Sequence, residues 1–201
     1  MSTKSVDTKG PRLRRPAFDR ERGVETAQAL FHARGYDAVG IAELTQALDV
    51  VPPSLYAAYG SKLALFERAL KRYAEHNALP LEQLLASDAP PVEVLTQVFI
   101  AAAKQYTQDA VLRGCMVTEA MRADDPQAAA AATALAEHGI AAIRAYVMKF
   151  LPPSKAERVV DYVLLTLRGI SSYACLGTSQ AKLVDCAKVA ARALDAEFPS
   201  R

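Results

Sequence analysis

The sequence has no tryptophan and only three cysteines, Cys115, Cys175 and Cys186, in 201 residues. An odd count at wide spacing argues against a disulfide framework. None of His32, His76 and His138 stands at ligand spacing from a cysteine or another histidine, so no metal site is expected. No uninterrupted apolar run approaches the ~18 residues of a membrane span. The basic start MSTKSVDTKGPRLRRP lacks the apolar stretch of a secretory signal, so a cytoplasmic protein is expected. Alternating β-branched runs, a Gly-rich phosphate loop, a nucleophile motif and internal repeats are also lacking. A β-rich fold is thereby disfavoured, and nothing supports an enzyme or a cofactor. An enzyme would have to combine Cys115 with a histidine and an acid that no motif supplies.

What is present is apolar and helical. About half of the residues are apolar, enough for a sizeable core without cross-links. The net charge of +2 is unevenly spread: residues 1–22 carry seven basic and three acidic side chains, so the rest of the chain is slightly acidic. A basic arm over residues 1–18 fits a local contact with a polyanion. The alternative is a solvated, disordered tail.

Alanine, leucine, glutamate and arginine dominate the remainder, which predicts an all-α fold. Asp19 caps a helix over 20–34 that carries Val24, Ala27 and Phe31 at helical spacing and stops at Gly35. A short helix over 41–48 follows, with Leu44, Ala47 and Leu48 facing its successor, and then a turn at Asp49-Val50-Val51. Pro52 and Pro53 open another short helix to Tyr59, where a missing first-turn N–H costs nothing. Ser61 caps a fourth helix to His76. The pattern loosens over 79–91, so a boundary is placed at 76/77. Beyond it, helices are expected over 91–108, within 109–122, over 126–150, over 155–176 behind a Ser154-to-Glu157 capping box, and over 180–197.

Two short helices joined by a three-residue turn form a helix-turn-helix, the geometry that lays a second helix in the DNA major groove while the first braces it. The stretch Gly35-Tyr36, Ile41-Ala42-Glu43-Leu44, Val50, Pro53-Ser54-Leu55-Tyr56-Ala57-Ala58-Tyr59-Gly60-Ser61-Lys62 and Leu65-Phe66 resembles the signature of the TetR family of bacterial transcription regulators. The resemblance spans about residues 20–75; beyond it the likeness is architectural. It implies an N-terminal three-helix DNA-binding domain over 19–76 and a helical ligand-binding and dimerisation domain over 77–201. It also implies a homodimeric repressor released from operator DNA by a small-molecule effector.

Carried onto this chain, the resemblance implies DNA contacts by Pro52, Pro53, Ser54, Tyr56, Ala57, Ala58 and Lys62. Tyr56 and Lys62 would meet phosphates. Gly40 stands where the family often has Ser or Thr, so a backbone N–H must serve there. From Pro52 to Tyr59 there is no Arg, Lys, Asn or Gln, which removes bidentate base contacts. Thymine methyls, DNA shape and insertion of the arm, with Arg14 and Arg15, are left to carry specificity.

Farther along, Phe99, Tyr106, Cys115, Met116, Glu119, Met121, His138, Tyr146 and Tyr162 form the expected effector site, although residues of these types at helical spacing also make plain core. Cys115 follows Arg113 and Gly114 near a helix start, surroundings that favour a reactive thiol; the plainer reading, and the preferred one, is a small buried hydrophobe. A thiol-sensing switch at Cys115 is thus an alternative to a bound effector, and a partner-binding module without DNA reading is a third. The apolar faces of the last two helices exceed what one protomer can cover, so Leu164, Leu167, Ser171, Leu183, Ala187 and Leu194 are expected at a two-fold interface. Cys175 and Cys186 are expected to pack in the core.

Overall fold

The computed structural model describes residues 19–198. The expected arm contacts Arg14 and Arg15 lie outside the described residues. Within them the chain is all-helical: α1 (Arg20–Arg34), α2 (Ile41–Ala47), α3 (Pro52–Tyr59), α4 (Lys62–His76), α5 (Leu81–Leu85), α6 (Pro91–Gln105), α7 (Met116–Ala120), α8 (Pro126–Val147), α9 (Pro153–Cys175), α10 (Gln180–Ala191), and a closing 3-10 turn (Arg192–Ala196). The helix starts obey their caps. Asp19 accepts from the N–H groups of Glu21 and Arg22, Ser61 from Ala64, and Asp125 from Gln127 and Ala128, each satisfying donors that a helix start leaves unpaired.

Four expectations are corrected. Residues 81–85 form a helical turn whose Leu85 is buried; five residues are too few to show a period against three flanking prolines. The capping box at Ser154 does not form: α9 starts two residues earlier, with Pro152 as its N-cap and Pro153 in its first turn, because proline is already preset for that position. The last helix loses its α geometry after Ala191 and finishes as a 3-10 turn. Cys175 and Cys186 are exposed rather than buried.

Two buried clusters hold the molecule together. Under α1–α4, Phe31 meets Phe66 edge-on at 5.1 Å and Tyr36 lies 4.8 Å from Phe66. Leu44, Leu48, Leu55 and Tyr59 fix α2 against α3, while Ala47 is exposed. This cluster continues through Met116, Val117 and Ala120 of α7 into Ala128 and Ala132 of α8. The unit over 19–76 therefore shares its core with helices beyond the expected boundary. The second cluster joins α6, α8, α9 and α10 around Leu95, Val98, Phe99, Ile143, Val160 and Leu194.

Candidate DNA-binding face and effector cavity

The α2–α3 turn is built on Asp49, whose φ of 51° makes it the non-glycine residue with positive φ among the described residues. Asp tolerates that region, and the Val50 N–H donates to the Thr45 carbonyl at 3.0 Å. With Leu55 and Tyr59 turned inward, α3 presents Pro52, Pro53, Ser54, Tyr56 and Ala57 outward, while Ala58 is half-buried. Val51, 61% exposed just before α3, joins this face; sequence reasoning gave it only to the turn. Gly40 caps α2 without a side chain, leaving first-turn N–H groups open. The result is an exposed helix face with small apolar groups, two hydroxyls and no cation of its own.

Lys62 does not stand free at the start of α4. Its ammonium lies 4.0 Å above the Tyr36 ring, a cation–π arrangement. Partial burial lowers its proton affinity, opposed by the nearby Asp37 and Asp125 carboxylates.

A cavity of about 470 Å³ lies between α4, α5, α7, α8 and α9. Aliphatic groups from Leu79, Leu81, Val117, Leu135, Ile140, Ile143, Leu164 and Leu167 form much of its wall. Of the expected effector residues it gathers Tyr106, Cys115, Met121 and His138. The other five do other work. Phe99 is fully buried and packs edge-on near Tyr162, whose hydroxyl donates to the Ala190 carbonyl. Met116 belongs to the α1–α4 cluster. Glu119 accepts from the Ser171 hydroxyl at 2.8 Å and pairs with Arg122. Tyr146 packs against Phe150. His138 sits at the rim, paired across the opening with Glu82 at 3.4 Å; both side chains are well exposed.

Sequence reasoning missed the aliphatic wall because Leu and Ile at helical spacing look the same in a core and around a cavity. At the inner side, Tyr73 and Tyr106 line the cavity together with Cys115, and burial pushes the proton affinity of both phenols up. Arg113, expected to attend that thiol, instead donates to the carbonyls of Ala174 at 2.6 Å and Thr178 at 2.5 Å.

Three links tie the cavity to α1–α4. The Tyr73 ring of α4 lines the cavity and meets His32 of α1 edge-on at 5.2 Å. The His32 Nε2 lies 3.3 Å from the Gly114 carbonyl, one residue from Cys115. Burial outweighs neighbouring carbonyls and Asp109 and holds the imidazole below its ordinary proton affinity, so it is neutral and, as the Nε2–H tautomer, a donor. Asp37, after α1, accepts from the N–H groups of Asp124 and Asp125 that open α8.

The expected interface residues are not on an open surface. Ser171, Leu183, Ala187 and Leu194 are buried within the protomer, and Leu164 and Leu167 are partly buried against its core. The helical stripe was assigned to the wrong neighbour: these faces close α9 and α10 on the chain itself. Different apolar side chains stand open, with Leu165 72% and Tyr173 59% exposed on α9, Leu176 77% exposed at its C-cap and Val189 61% exposed on α10.

These features have counterparts in known proteins. The family described as bacterial regulatory proteins, tetR family, matches residues 24–69. The HTH-type transcriptional repressor BdcR of Escherichia coli K12 is 38% identical over 194 residues, covering 96% of this chain and 97% of that protein. The HTH-type transcriptional repressor ComR of the same organism is 34% identical over 119 residues, 58% of this chain and 57% of that one. Among solved structures, a cysteine-substituted TetR family regulator, CifR, complexed with 26-base-pair operator DNA is 30% identical, with a TM-score of 0.78 over 90% of this chain and 99% of that one.

Proposed function

This chain belongs to the TetR family of bacterial regulatory proteins, and from that premise we propose that its α3 face reads an operator and that its cavity controls release. It is a DNA-binding transcription repressor, and no described helix is long and apolar enough to cross a membrane. The observation that carries the reading is the α2–α3 pair, braced by Leu44, Leu55 and Tyr59 and exposing one helix face, within a chain aligned almost end to end with a repressor. Ser54 and Tyr56 supply hydroxyls for backbone and base edges. Pro53, Ala57 and Ala58 supply apolar contact for thymine methyls. Gly40, Pro52 and Lys62 complete the contact surface, and Arg14 and Arg15 of the arm are assigned to the adjacent groove.

The open apolar side chains of Leu165, Tyr173, Leu176 and Val189 support a two-fold dimer through α9 and α10. A dimeric reader needs its recognition helices one helical turn of DNA apart, roughly 34–36 Å. A small apolar effector in the cavity, touching Tyr73 on α4 and the 113–115 segment held by His32, would tilt α1 and α4 together and change that spacing. DNA and effector would then weaken each other by the same factor.

Selection of bound duplexes from a random DNA pool, followed by footprinting, tests the reading; a chain that enriches no sequence over many rounds would end it. A second reading, a covalent change at Cys115, is favoured by the position of that thiol in the cavity wall.

A further inference from the structure

Cys115 is not alone. Gly114, at φ +78°, carries no side chain where a Cβ would overlap the Cys175 Sγ and approach the Ser171 Oγ to 3.0 Å. The missing side chain lets the Cys175 sulfur rest on the 113–115 backbone, where it donates to the Arg113 carbonyl at 3.4 Å. One turn earlier on α9, the Ser171 hydroxyl accepts from the Cys115 N–H at 2.9 Å. The Arg113 guanidinium grips the end of α9 and the loop after it through the Ala174 and Thr178 carbonyls. The residues bearing the two thiols are thus clamped side by side, sixty positions apart in sequence. One thiol lines the cavity and the other is solvent-exposed.

We propose that Cys115 and Cys175 are a redox pair that closes into a reversible disulfide when a small organic hydroperoxide enters the cavity. The effect on DNA rests on the repressor reading above; the bond itself does not. The Cys115 sulfur attacks the terminal oxygen of the hydroperoxide, becomes a sulfenic acid and releases the alcohol, which takes up the thiol proton. The Cys175 sulfur then attacks the Cys115 sulfur. An S–S bond forms, the S–O bond breaks, and hydroxide leaves as water with the Cys175 proton. Two thiols have given up two electrons and two protons, and one hydroperoxide has become one alcohol and one water. Burial pushes the Cys175 thiol up, so its attack on the Cys115 sulfur speeds up as pH rises and the thiolate fraction grows. Forming the bond takes the Cys115 sulfur away from Tyr73 and Tyr106 and pulls the backbone beside it toward α9. The acceptor that His32 uses is the neighbouring carbonyl, so the change reaches α1 directly.

The three cysteines fall on separate tryptic peptides, 114–122, 169–182 and 183–188. The full chain, reduced and then treated with tert-butyl hydroperoxide, is digested without reductant and weighed. A joined 114–122/169–182 peptide that dithiothreitol separates is expected. Cys175→Ser should abolish it while leaving affinity in reductant unchanged. In the wild type, operator affinity should fall about tenfold on oxidation and return with reductant, within the usual range of couplings. Cys115 carrying only oxygen adducts, or Cys175 alkylatable throughout, overturns the pairing. A joined peptide with unchanged DNA affinity overturns its regulatory effect. Failure of the reduced chain to bind any duplex counts against the repressor reading, and the peptide mass still decides the disulfide.

Discussion

Replacing Gly114 with alanine tests the junction on which the coupling depends. Two costs follow from the structure. The residue sits at φ +78°, where an L side chain costs roughly 1–2 kcal/mol. The new methyl overlaps the Cys175 Sγ and crowds the Ser171 Oγ and carbonyl, at 3.0 and 3.2 Å; overpacking of this kind costs about 1–3 kcal/mol. Together they predict a loss of about 2–5 kcal/mol, which for a chain of this length lowers Tm by roughly 4–20 °C. Urea titration under reducing conditions measures it. Combining the change with Cys175→Ala removes the sulfur but neither the φ cost nor the Ser171 contacts. The double variant should therefore be at least about 1 kcal/mol more stable than the sum of the single changes implies. A Gly114→Ala variant within about 0.5 kcal/mol of wild type, the scatter of ordinary surface changes, would refute the reasoning, as would strict additivity.

Acid should expose the role of His32. Its folded proton affinity lies below the ordinary value of 6.5, so its contribution is complete above that pH and is lost as pH falls below it. Wild type should lose more stability than His32→Gln between about pH 7 and pH 5; parallel urea midpoints would contradict this. Leu165→Glu with Val189→Glu should convert a dimer into a monomer at micromolar concentration and weaken operator binding, read by sedimentation, whereas an unchanged dimer would place the interface elsewhere. Lys62→Ala should flatten the salt dependence of DNA binding by about one unit; an unchanged slope would mean that its ammonium stays on Tyr36. Ala136→Phe should fill the cavity and blunt the response to an effector with the reduced DNA affinity intact, and full response in that variant would exclude the cavity as the site.

Local signals in the chain were enough to place most helices. Asp19, Ser61 and Asp125 mark starts because short polar side chains satisfy first-turn donors within three residues, and Gly35 marks a stop because glycine takes positive φ at no steric cost. The helix-turn-helix was legible for the same reason: α2, its turn and α3 are contiguous, and spacing placed Leu44, Leu48, Leu55 and Tyr59 inward, although it also placed Ala47 there, which is exposed. The 3.6-residue period, however, says that a face is apolar and not what covers it. That is why Leu183, Ala187 and Leu194 read as an interface although they close the protomer's own core, and why Leu165 and Val189 went unnoticed. Contacts between residues far apart in sequence were decided only by tertiary packing. The Glu82–His138 rim, the His32–Gly114 bond, the Asp37 contacts at the start of α8 and the seating of Cys175 on Gly114 join positions 56 to 88 residues apart, and no local pattern encodes which distant partner a side chain meets once the helices have packed.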